Sequence, residues 1–174
     1  MFGDSMGTDS GKLVSGAIDA CWAAVECWPS LKDQFQRKFK TDDELSQLKL
    51  AGVGIGDIGD RAAIAHDLQP FEVVPGPTRA IVFPIAVRVR IWKRVDQYRA
   101  TVDLLEEIVK AWYRATDRTS GATFLELATC GPPQKVAAFG VDFVAIPQGE
   151  GPDASTLPVC YGNATAIFLA KNQA

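Results

Sequence analysis

The chain has 174 residues but only one histidine and four cysteines, so it is poor in the groups that most often carry chemistry. Cys21, Cys27, Cys130 and Cys160 are scattered without metal-type spacing,. Cys21 and Cys27, six apart on a predicted helix, point to poorly matched faces for a disulfide. Reduced thiols in an intracellular setting are the expectation. His66 has Asp60 and Asp67 nearby in sequence, but no Cys or carboxylate partner at i+4. It therefore reads as a surface or half-buried residue rather than a ligand or base. No GxSxG, HExxH or Walker-type loop is present,. Cys–His nucleophilic catalysis has no spacing to support it. Asp42-Asp43-Glu44 and Glu106-Glu107 read as solvated helix faces, not as an acid/base pair,.

A large excess of either charge is absent as well. The formal net charge of -3 excludes a polycation built to coat nucleic acid,. No apolar run approaches the ~20 residues of a membrane-spanning helix. Met1 to Met6 lack the basic and apolar regions of a secretory signal,. Length and a hydrophobic content of 47% fit one soluble α+β domain, residues 1–174, with residues 1–10 as a flexible arm,.

What is present is periodicity. From Ile81 to Ile91 every odd position is a large apolar residue, while the even positions pass from Val82 through Pro84 and Ala86 to Arg88 and Arg90. That alternation predicts a strand over 81–92, with one face buried and the other turning toward water. Pro84 puts its early part at a sheet edge or bulge. A helix follows over 96–115, capped by Asp96, with the seam Tyr98, Val102, Leu105, Val109 and Trp112,. Glu106 and Glu107 precede Lys110 at favourable helical spacing. Leu13, Ala17, Ala20, Cys21, Ala24 and Trp28 mark an N-terminal helix over about 11–28, capped by Asp9 or Ser10 and stopped by Pro29,. Phe35 and Phe39, four apart, predict a further helical turn or two.

Residues 61–80 read as extended or irregular, with a short strand at Phe71–Val74 closed by Pro75-Gly76-Pro77,. Thr123–Ala128, Lys135–Ile146 and Asn163–Lys171 read as three further strands, separated by Gly131-Pro132-Pro133 and a loop from Pro147 to Pro158. The sheet is expected to be mostly antiparallel and packed against both long helices.

Two stretches invite a functional reading. Gly54-Ile55-Gly56-Asp57-Ile58-Gly59 satisfies the letter of the GxGxxG dinucleotide fingerprint. The fingerprint works only between a strand and a helix N-terminus, and Leu45 to Leu50 do not read as a strand, so a flexible loop is expected. Arg79, Arg88, Arg90, Lys93, Arg94 and Arg99 form the densest basic cluster, interleaved with Trp92 and Tyr98. It fits the solvent face of an edge strand or a salt-bridged subunit contact better than a nucleic-acid surface, given the overall charge.

The order of elements resembles the tail terminator (tail-completion, head–tail joining) proteins of long-tailed bacteriophages. The resemblance spans about residues 11–171: a helical N-terminus, the stretch ending Phe71-Glu72-Val73-Val74-Pro75-Gly76, the long strand, the amphipathic helix and closing strands. It implies a non-enzymatic virion protein of the tail or neck, assembled in the host cytoplasm. Six copies would form a ring that ends the tail tube and joins it to the head connector or stopper protein. DNA would pass through the lumen without specific binding, with no cofactor and no membrane. Under that reading Arg88, Arg90, Lys93 and Arg94 are contact residues, and Gln148, Glu150 and Asp153 lie in a loop facing a partner. Reversing Arg88 and Arg90 would then weaken assembly and leave the monomer folded. The alternative is a small α+β enzyme or ligand-binding domain with a pocket between sheet and helices, using His66.

Overall fold

The computed structural model describes residues 12–51, 58–128, 130–148, 151–152 and 155–172. They form an α+β fold whose six-stranded sheet is the frame for everything else. The elements are α1 (Leu13–Cys27), β1 (Phe35–Phe39), α2 (Asp42–Ala51), β2 (Ala62–Gln69), β3 (Val74–Pro75), β4 (Ile81–Arg94), α3 (Tyr98–Arg114), α4 (Phe124–Leu127), β5 (Lys135–Gln148) and β6 (Ser155–Asn172). The strands run in the order β1-β2-β4-β6-β5, with β3 beside the start of β4. All pairs are antiparallel except β1 with β2. A parallel pair needs a crossover, and α2 supplies it.

The alternation in β4 does what its period demands. Ile85, Val87, Val89 and Ile91 bury against α1 and α3, together with Leu105, Ile108 and Trp112. Opposite, α2 covers a second, smaller core of Phe39, Leu48, Ala63, Ala65, Trp92, Ile146 and Val159. The even face of β4 is therefore not simply solvated. Nor is β4 an edge strand: it pairs with β6 along its length and with β2 from Ala86 to Trp92. Pro84 falls in the gap between the β3 and β2 pairings and lies opposite Leu169 of β6 on its other side,.

Several expected elements differ. Residues 35–39 are a strand, not a helical turn. The i,i+4 spacing of Phe35 and Phe39 fits either period, but a bulge between Phe35 and Arg37 sends the two rings into opposite cores,. Residues 62–69 form a central strand with small alanines on both faces, because both faces are covered. Residues 124–127 are helical: Thr123 Oγ1 accepts from the Glu126 N–H at 3.1 Å, and Glu126 Oε2 accepts from the Thr123 N–H at 2.8 Å,. Six of the eight described residues in the expected 147–158 loop belong to the ladder, with Pro147 opposite Thr156 and Gln148 opposite Ser155.

In α3 the buried face is Thr101, Leu104, Leu105, Ile108, Ala111 and Trp112, so Tyr98 lies outside the seam. Gln97 takes the N-cap position, and Asp96 pairs with Arg94 instead. α1 starts after Lys12, without a side-chain cap, and Pro29 opens a 3-10 turn. Asp9 and Ser10 fall outside the described residues, as does the whole arm 1–10. Among the described residues no helix is long and apolar enough to cross a membrane.

Candidate functional site

Strand pairing builds the densest charged cluster. The β2–β4 register sets Asp67 opposite Arg88 and Ala65 opposite Arg90, on the sheet face away from α1 and α3. Asp67 Oδ2 accepts from Arg88 Nη2 at 2.9 Å and from Gln69 Nε2 at 2.9 Å. Its Oδ1 accepts from Arg90 Nε at 3.0 Å. The side chains of Asp67 and Arg90 are 9% and 12% exposed, and that of Arg88 is 29% exposed. Arg90 also lies over the Trp92 ring, 5.5 Å from its centroid,.

Both carboxylate oxygens are thus occupied by donors. Such a group holds two strands together and has no free lone pair aimed at a substrate. Arg90 Nη2 is buried with no partner among the described residues. Two guanidiniums against one carboxylate leave the cluster one positive charge. Burial raises the pKa of the neighbouring Tyr161 phenol, opposed by Arg88 and Arg90.

The other sequence candidates separate. Lys93 is buried and donates to the Asp60 carbonyl at 3.0 Å. Arg94 is 51% exposed and bridges Asp60 and Asp96, each at 3.3 Å. Arg79 and Arg99 are exposed. Gln148 closes β5, while Glu150 and Asp153 lie outside the described residues. The cluster is therefore tied down within the chain at Arg88, Arg90 and Lys93, and the solvated edge-strand face expected for it does not exist. The sequence marks the arginines as a cluster but sets Asp67 beside His66, because its arginine partners lie 21 and 23 residues away.

His66, expected at or near the surface, is 1% exposed and sits between Trp22 and Trp112. Neither ring nitrogen has a partner among the described residues. Burial, aided by the Lys40 ammonium, lowers its pKa to about 3. The space between sheet and helices is filled around it by side chains of zero exposure, including Ile64, Val89 and Trp112. Burial pushes the Cys21 and Cys130 thiols up, the latter to about 11. Among the described residues no group of three His, Cys, Asp or Glu could hold a metal ion. Residues 52–57 of the glycine-rich stretch lie outside the described residues. Its flanks, helix α2 before and strand β2 after, reverse the strand-then-helix order that pyrophosphate binding requires,.

The most conspicuous apolar surface went unread in the sequence. β5 is an outer strand, and on its margin Phe139 and Phe143 are 47% and 58% exposed. Phe143 stacks on the exposed Tyr98 at the start of α3, ring centroids 5.6 Å apart. Alternation alone does not say which strand lies outermost, so no sequence signal marks these rings as exposed. No protein-family model matches the chain, and no curated protein matches it either.

Proposed function

We propose that this chain is a non-enzymatic virion structural protein of the tail terminator type, one of about six copies in a ring. The ring would end the tail tube, meet the head connector, and let DNA pass without specific binding. The observation that carries the reading is the aromatic margin of β5, Phe139 and Phe143 beside Tyr98. An outer strand bearing exposed rings is an edge left for a partner. The far edge is the short parallel strand β1, a surface of different shape. Two unlike edges on a rigid sheet suit a head-to-tail contact, which closes into a ring when the rotation allows. The order helix, crossover, long strand, amphipathic helix and closing hairpin supports the resemblance that suggested the role.

The test is immunogold electron microscopy of particles purified from the source of the chain. A single spot of label at the head–tail junction is expected. A protein absent from every particle, or a label spread over the capsid, would end this reading.

A further inference from the structure

A well-formed cleft lies away from both the arginine cluster and the β5 margin. Its volume is about 520 Å³, within the ~300–1,000 Å³ usual for ligand sites,. One wall is the end of α1 and the turn after it, with Glu26, Cys27, Trp28 and Lys32; the other carries Asp117, Arg118 and Phe124. Trp28 is held in place, because its Nε1 donates to Glu107 at 2.9 Å.

The charges in this cleft are unevenly committed. Glu26 pairs with Lys40, and with Lys38 at 3.9 Å. Asp117 accepts from the Thr119 N–H at 3.1 Å and from Ser120 Oγ at 3.0 Å. Lys32 and Arg118 are exposed, and their side chains make no hydrogen bond or ion pair among the described residues; Arg118 lies close enough to Cys27 to favour its thiolate. The cleft therefore offers an apolar floor, the half-buried Trp28 with the buried Phe124 behind it, and two exposed cations against one ion-paired carboxylate, Glu26, and one carboxylate, Asp117, that stays ionised but is held by neutral donors. That is complementary to a carboxylate borne next to a flat apolar group.

We propose that this cleft is a docking site for an acidic peptide segment of a partner protein, with Lys32 and Arg118 taking a carboxylate and Trp28 with Phe124 taking an adjacent aromatic or aliphatic side chain. A peptide suits it better than a free organic acid because the cleft is about half open to solvent, whereas small-ligand sites bury roughly 70–90% of their ligand,. The site stands apart from the ring reading, since a protein absent from virions could still bind such a segment.

The experiment titrates the full chain with Ac-Phe-Glu-Phe-Asp-NH2 by calorimetry at low salt. In parallel it follows alkylation of Cys27, the exposed thiol lining the cleft, by iodoacetamide. The acidic peptide is expected to bind and to slow Cys27 alkylation. The neutral analogue Ac-Phe-Gln-Phe-Asn-NH2 should bind at least about tenfold more weakly, as should the K32A/R118A variant toward the acidic peptide. Both substituted residues are exposed, so the thermal unfolding of that variant should match the parent. Equal binding of the two peptides, an unaffected K32A/R118A variant, or no heat and no protection at about 1 mM peptide would each overturn the proposal. Benzoate binding as tightly as the peptide would overturn it too, in favour of a small-acid site.

Discussion

His66 meets Trp22 edge-on, with ring centroids 4.4 Å apart and an interplanar angle of 64°, and Trp112 closes the far side at 6.0 Å. The imidazole fills space in the main core while both nitrogens go without partners among the described residues. A buried polar ring without hydrogen bonds costs stability that its shape only partly returns.

Its protonation makes that cost depend on pH. Below the ordinary value of 6.5 the unfolded chain binds a proton that folded His66 refuses until about pH 3. Stability attributable to His66 therefore falls as pH falls through that window, by up to about 1.4 kcal/mol per pH unit. His66→Leu should lose this component and be the more stable chain at about pH 5, read by urea denaturation of both proteins at about pH 7 and about pH 5. A stability difference between the two that does not change with pH would show that the imidazole titrates normally.

Asp67 is the keystone of the opposite face. Asp67→Ala strands two guanidiniums, one nearly buried, and should cost about 3–5 kcal/mol,. Arg88→Ala should cost less than Arg90→Ala, because Arg88 is the more exposed partner. The double reversal R88E/R90E sets three carboxylates together and is expected to leave no folded monomer, visible as loss of the far-UV circular dichroism signal. That outcome differs from the folded monomer expected from the sequence, and the same measurement decides between them. A folded R88E/R90E chain would mean that the cluster holds nothing together.

Among the described glycines, Gly162 has the least room for a side chain. A Cβ there would lie 2.8 Å from Ile91 Cγ1, 3.1 Å from its Cδ1 and 3.4 Å from Thr101 Cγ2. Ile91 and Thr101 are fully buried and cannot step aside, so Gly162→Ala should destabilise by about 1–3 kcal/mol,. Ile91→Val, which removes Cδ1, should relieve part of that, giving a coupling of at least about 0.5 kcal/mol in a double-mutant cycle. Strict additivity of the two substitutions would count against the clash.

Under the ring reading, the F139S/F143S variant should stay monomeric where the parent assembles, as measured by analytical ultracentrifugation. Both rings are largely exposed, so the folded monomer should lose no more than about 1 kcal/mol beyond the Tyr98 stack,. Unaltered assembly in that variant would move the interface elsewhere on the surface.

Long periodic segments were legible before folding was known: the alternation of β4, the faces of α1 and α3, and the hairpin strands. β2 was not, because an alanine-rich strand covered on both faces lacks the one-sided pattern that marks a strand,. The α4 helix carried a readable signal in Thr123 and Glu126, three apart, but its apolar Phe124-Leu125 pair equally suits a strand,. The basic cluster was visible as charge, but Arg88, Arg90 and Lys93 are tied down within the chain while Arg79, Arg94 and Arg99 are exposed.

The α+β class and the apolar face of β4 follow from local pattern, since side-chain period is a local property of the chain. What the charges meet depends on contacts between distant segments. Asp67 reaches Arg88 and Arg90 through the β2–β4 register, and a slip of one residue would turn it toward Trp22 and Trp112 and send His66 to its place,. Register is set by the packing of both cores at once, which no short stretch of the sequence encodes.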